Sequence, residues 1–233
     1  MKFKTALLLL ILIIFVSCKK DSFASIKLKV EFEDKTNKEL PRIYWISVYK
    51  DEKLFKKYGR FKKPYIEKEL VIDSLSNGTY RFVYENFLNQ QMQKTIEITE
   101  SRVYQVSIHP DYSKYTDFIN ESFVKNLKDN QKVELCFESL GCFHSMATIV
   151  EIRKEEEKYY FISRGIEKKL SQKEVDAIVK MECELNLLQS GGCTTKDHYI
   201  IKFENQKKEY FDRTCAWYGW KNMFEQIDLK NKI

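Results

Sequence analysis

From Ile26 to Glu33 the chain alternates without a break: Ile26, Leu28, Val30 and Phe32 are apolar, and Lys27, Lys29, Glu31 and Glu33 are charged. Successive side chains of a strand point to opposite faces, whereas the apolar stripe of a helix returns about every 3.6 residues. This stretch therefore reads as a half-buried β-strand. Further candidates are Ile43–Tyr49, Ile66–Ile72, Thr79–Tyr84, Met92–Ile98 and Val103–Ile108, with the turn signal Ser76-Asn77-Gly78 between two of them. Six short strands at short spacing predict a β-sandwich over residues 26–110.

The chain then changes character. Residues 111–130 are polar, with Ile119, Phe123 and Leu127 spaced for one apolar stripe on a short helix or docked linker. Residues 131–233 hold strand patterns at Val133–Glu138, Met146–Arg153 and Lys158–Ser163. Ser171 with Glu174 forms a capping box that opens a helix with Val175, Ile178, Val179 and Leu185 facing the core. Ser190-Gly191-Gly192 ends it. His198–Phe203 and Glu209–Arg213 follow as a hairpin about Asn205-Gln206, and a last short helix carries Trp217, Trp220, Phe224 and Ile227 on one side. The predicted fold class is mostly β in two parts: an N-terminal β-sandwich, then a small α+β domain of order β-β-β-α-β-β-α.

The N-terminus is of another kind. Lys2 and Lys4 precede the eleven apolar residues Ala6–Val16, and Ser17 and Cys18 follow. A membrane-spanning helix needs roughly 20 apolar residues, so this run is short for a span; the competing reading is an uncleaved N-terminal anchor. Phe15-Val16-Ser17-Cys18 resembles the lipobox of bacterial lipoproteins, and Ser-Cys-Lys-Lys-Asp resembles the processed start of many Bacteroidota lipoproteins. Phe15 stands where that pattern usually has Leu. The resemblance implies that residues 1–17 are a signal peptide, that Cys18 is lipidated, and that residues 18–25 are a tether. It also implies a cell-envelope location, with Lys19 pointing to the outer membrane.

Processing at Cys18 would leave 216 residues and a net charge of +4, enough chain for one large or two small domains. So mild a basic excess gives no pointer to nucleic acid, and export removes that partner from the reading. An oxidising compartment also favours disulfides among Cys136, Cys142, Cys183, Cys193 and Cys215. Five is odd, so at least one stays free or pairs outside the chain. Cys193 and Cys215 flank the predicted hairpin nearly symmetrically, and antiparallel pairing would bring them within bridging range. The stretch from Ile72 to Phe82, with Leu75, Gly78 and Tyr80, resembles the Leu-x-x-Gly-x-Tyr corner of carboxypeptidase-regulatory-like and prealbumin-like sandwiches. That family is mostly structural or adhesive and implies no catalytic residues.

Two groups of residues stand out as candidate sites. Between Lys50 and Lys63 the chain carries Lys50, Lys53, Lys56, Lys57, Arg60, Lys62 and Lys63 against Asp51 and Glu52, interleaved with Phe55, Tyr58 and Phe61. The functional reading is contact with an anionic surface or partner through Lys53, Lys56, Lys57, Arg60, Lys62 and Lys63; the competing one is a solvated inter-strand excursion. Cys142, His144 and His198 are candidates for nucleophilic chemistry, or for zinc with Cys136 or Cys183, although close-spaced ligand pairs are missing. Tyr44, Trp45, Tyr49, Trp217 and Trp220 suit sugar stacking or, at strand and helix spacing, a core. The sequence holds no Gly-rich phosphate loop, Ser elbow or calcium loop, so no cofactor is expected. The first expectation is a lipid-anchored envelope binding or scaffold protein with a protein or glycan partner. The second is an immunity- or inhibitor-type lipoprotein that binds an envelope-targeted hydrolase or toxin, and the third an envelope enzyme using Cys142, His144 or His198.

Overall fold

The computed structural model describes residues 23–35, 41–59 and 66–229. Cys18, Arg60, Lys62 and Lys63 lie outside the described residues. The fold is mostly β, as the alternation predicts.

Among the described residues the first part contains nine strands: β1 (Ala24–Val30), β2 (Arg42–Ile43), β3 (Trp45–Lys50), β4 (Lys53–Gly59), β5 (Ile66–Glu67), β6 (Glu69–Leu75), β7 (Gly78–Glu85), β8 (Gln91–Ile98) and β9 (Val103–Ile108). They form a three-stranded sheet in the order β6-β1-β9, a four-stranded sheet in the order β4-β3-β7-β8, and the pair β2-β5. Alternate residues of the two larger sheets meet in one core, including Ile26, Leu28, Ile46, Val48, Tyr80 and Phe82. This is the expected sandwich. Burying each such side chain contributes about 1.5–3 kcal/mol relative to exposure.

Two departures concern turns. As far as Gly59 the run after Lys50 is not an excursion, because Asp51 and Glu52 both take positive φ and Lys50 pairs with Lys53. Positive φ at both central residues is the two-residue hairpin turn whose twist matches its strands. Asn and Gly favour it; here Asp51 offsets the strain by pairing with Thr79. Its backbone N–H donates to the Thr79 carbonyl at 2.9 Å, and its carboxylate accepts the Thr79 N–H at 3.0 Å. The predicted strand Ile66–Ile72 is also split, at Lys68 with φ 56°.

The second part is a fully antiparallel six-stranded sheet in the order β13-β12-β11-β10-β14-β15. Its strands are β10 (Lys132–Gly141), β11 (His144–Glu155), β12 (Lys158–Ser163), β13 (Ile166–Lys169), β14 (Lys196–Phe203) and β15 (Gln206–Asp212), with α1 (Gln172–Leu185) and α2 (Gly219–Gln226). Strand β13 adds one element to the expected order, giving β-β-β-β-α-β-β-α. Arg164-Gly165, with both φ positive, folds it back on β12. The last hairpin turns at Glu204-Asn205, one residue earlier than predicted. The capping box forms as expected, with the Glu174 carboxylate accepting the Ser171 N–H at 2.7 Å.

Val175, Ile178, Val179 and Leu185 are buried as predicted, and so are Trp217, Trp220, Phe224 and Ile227. Phe137 stacks on Trp220 at 5.0 Å, and Phe161 meets Phe224 edge-on at 5.6 Å. Leu88, from the β7–β8 loop of the sandwich, also belongs to this core, and its carbonyl accepts the Gln189 N–H at 3.0 Å. The segment between the parts docks rather than forming an α-helix. Tyr115–Glu121 is a 3-10 helix, Ser122 is extended, and Phe123, Val124 and Leu127 are buried. No helix among the described residues is long and apolar enough to cross a membrane.

Candidate binding site

Strand β4 forms one edge of the four-stranded sheet, paired only with β3 among the described residues. The register slips opposite Val48 and Tyr49, leaving Phe55 as the extra residue of a bulge. Lys53, Lys56 and Lys57 are exposed, and none forms an ion pair among the described residues. Leu54 is 52% exposed and Phe55 44%, so the strand offers apolar as well as basic surface. Phe55 meets Tyr80 edge-on at 5.8 Å, and Lys56 lies over the Tyr58 ring at 5.0 Å. An edge strand leaves a row of backbone donors and acceptors unpaired, and lysines along it repel a second copy of the same basic edge.

The other aromatic candidates, Tyr44 apart, are engaged. The Trp45 indole N–H donates to the Glu85 carboxylate at 3.1 Å, and the Arg81 guanidinium lies over the Tyr49 ring at 4.6 Å. Tyr44 is exposed, whereas Trp217 and Trp220 are core residues.

The candidate catalytic residues are not brought together. Cys142 and Phe143 form the tip of the β10–β11 hairpin, where Phe143 is 100% exposed. His144 pairs with Gly141, and its Nε2 lies 2.9 Å from the Ser139 hydroxyl, which donates to Asp197 at 2.5 Å. A nucleophilic triad has the imidazole in the middle; here the hydroxyl is there. His198 pairs with Glu138 and so lies on the opposite face of the sheet. Its Nε2 is 3.1 Å from Glu209, and its ring stacks on Phe211 at 4.4 Å. Cys142 has no hydrogen bond to either histidine among the described residues. Burial, with Glu134 beside it, pushes the Cys136 thiol up to about 11, and burial pushes Cys183 up to about 12. No group of three or more His, Cys, Asp or Glu side chains among the described residues is placed to hold a metal ion.

Cys193 and Cys215 are joined by a disulfide, with Cα atoms 5.3 Å apart. The Cys193 N–H donates to the Arg213 carbonyl at 3.2 Å, which sets the two segments side by side as the hairpin argument expects.

Sequence reasoning missed two buried carboxylates on α1. Glu182 is 2% exposed; it accepts the Phe123 N–H at 2.6 Å, the Val124 N–H at 3.2 Å and the Ser122 hydroxyl. Glu184 is 7% exposed and accepts the Ser113 hydroxyl at 2.9 Å and the Trp217 indole N–H at 2.8 Å. The signal for Glu182 was present. It falls seven residues after Val175 and three before Leu185, in the middle of the helix's apolar stripe.

Burial lifts the carboxyls of Glu182, Glu184 and Asp212 above their ordinary range. The folded state therefore holds these protons more tightly than the unfolded chain does. That contribution to stability is complete below the ordinary value, 4.5 for Glu, and is lost as pH rises through the raised folded values. Glu31, Glu134, Glu174 and Glu209 are shifted down, so their contributions are lost on acidification instead. As pH rises above the ordinary carboxyl value the urea midpoint should fall, and Glu184→Gln should flatten the fall. An unchanged pH slope in that variant would sink the assignment.

Comparison with protein-family models, with curated proteins and with solved structures gives no match to this chain.

Proposed function

We propose that this is a binding protein of the cell envelope, held to a membrane by lipid on Cys18, that captures an acidic, extended segment of a partner protein along β4. The observation that carries this reading is the exposed edge of β4, with three lysines that form no ion pair among the described residues beside exposed Leu54 and Phe55. Main-chain pairing along an open sheet edge supplies affinity, and side chains flanking it supply selectivity. Lysines that discourage a second basic edge favour an acidic one, so one feature serves both ends. The N-terminal pattern ending at Cys18 supports the anchor, and Lys19 beside it points to the outer membrane.

Affinity capture from the protein's own envelope tests both halves. The variant Lys53→Glu/Lys56→Glu/Lys57→Glu should recover its partner at least about tenfold less well than the parent, since like charges across an interface cost several kcal/mol. Equal recovery would remove β4 from the interface. Cys18→Ala should abolish metabolic lipid labelling; persistent labelling would overturn the anchor. A captured hydrolase or toxin would make the protein an inhibitor of that enzyme.

A further inference from the structure

Where the two parts meet, a small cleft of about 50 Å³ opens to solvent between one face of α1, one face of α2 and loops of the sandwich. Its apolar lining includes Leu88, Met181 and Met223, and four aromatic side chains, Phe87, Tyr112, Trp217 and Tyr218, also line it. Among the described residues the charged lining is three carboxylates, Asp34, Asp111 and Glu184, against one ammonium, Lys180. A cleft with apolar and aromatic walls and a few convergent polar groups is the usual form of a small-molecule site.

The hydrogen bonding narrows the ligand class. The Asp111 carboxylate accepts the Glu33 N–H at 2.8 Å and the Asp34 N–H at 3.0 Å. Both oxygens of Glu184 are bonded, to Ser113 and Trp217, and Lys180 lies 3.9 Å away. Asp111 is held by the protein itself, so what it chiefly offers a ligand is negative potential, and Glu184, whose carboxyl burial lifts, adds to that potential in its ionised form. A quaternary ammonium group needs no directed acceptor; it is held by negative potential and aromatic surface. We propose that this cleft binds a quaternary ammonium group of the choline type. The site is distinct from β4 and does not depend on it.

Calorimetric titration of the full chain in non-ionic detergent tests the assignment, with choline as probe and 3,3-dimethylbutan-1-ol as its uncharged isostere. Choline should saturate one site and bind at least about tenfold more tightly than the isostere, the factor expected of a partly desolvated cation–π contact. Glu184→Gln keeps an acceptor for Trp217 or Ser113 and removes the ionised form; titrated on the alkaline side, where burial no longer keeps Glu184 protonated, it should weaken choline about five- to tenfold. Lys180→Met removes the cation that lines the cleft among the described residues and should strengthen choline binding, an effect that a purely structural lysine would not give. If Glu184→Gln does not fold, Tyr112→Leu at the exposed wall takes its place and should weaken choline several-fold. Failure to saturate, equal binding of the isostere, or choline affinity unchanged in the folded variants would overturn the proposal.

Discussion

Glu182→Ala should lower the stability of the folded chain by at least about 3 kcal/mol, because it strands two buried backbone N–H groups and a hydroxyl at about 1–3 kcal/mol each. Among the described residues the carboxylate is the only acceptor for the N–H groups of Phe123 and Val124, and both residues are in the second core. Their backbone has left the 3-10 helix and has not entered another regular element, so no ladder stands ready to replace Glu182. Glu182→Gln keeps one acceptor and should lose less than Ala. Urea unfolding of the parent and both variants measures this. A loss below about 1 kcal/mol for Ala would mean that water reaches the freed groups, and that the carboxylate does not hold the linker.

Removing the disulfide should cost about as much. The bridge closes a span of 22 residues, and in the chain-entropy account a loop of that length stabilises the fold by about 3 kcal/mol. Reduction, or Cys193→Ala with Cys215→Ala, should therefore move the unfolding midpoint down markedly. The effect should extend to Trp217, since Thr214, next to Cys215, accepts the Trp217 N–H at 3.0 Å. A matched loss of near-ultraviolet circular dichroism would report it. Non-reducing peptide mapping should recover Cys193 linked to Cys215; another partner for Cys193 would refute the pairing.

Much of this architecture is legible in local pattern. Period two marks β1, the Ser171–Glu174 pair marks the start of α1, and helical spacing puts Trp220 and Phe224 inward. What escaped was decided by tertiary contact. Asp51-Glu52 does not look like a hairpin turn, and becomes one because Thr79 stands opposite to bond it. Glu182 breaks the apolar stripe of α1 and is tolerated because backbone donors from residues 123 and 124 arrive from another segment. The lysines of the candidate site were visible as a charge run, but their strand conformation was not. The cleft was not visible at all, since Phe87, Asp111, Glu184 and Trp217 are far apart in sequence and only the docking of the two parts brings them to one place.

Strand β1 lies in the middle of its sheet, antiparallel to β6 and parallel to β9. With the anchor proposed at Cys18, any pull between the membrane and a captured partner enters the fold through Phe23, at the head of this strand. Force along a central strand loads two hydrogen-bond ladders in shear, so many bonds must fail together. An edge strand such as β4 would instead peel away from its single neighbour. The sandwich thus puts a central, doubly paired strand beside the proposed anchor, and a singly paired edge where the partner is proposed to bind.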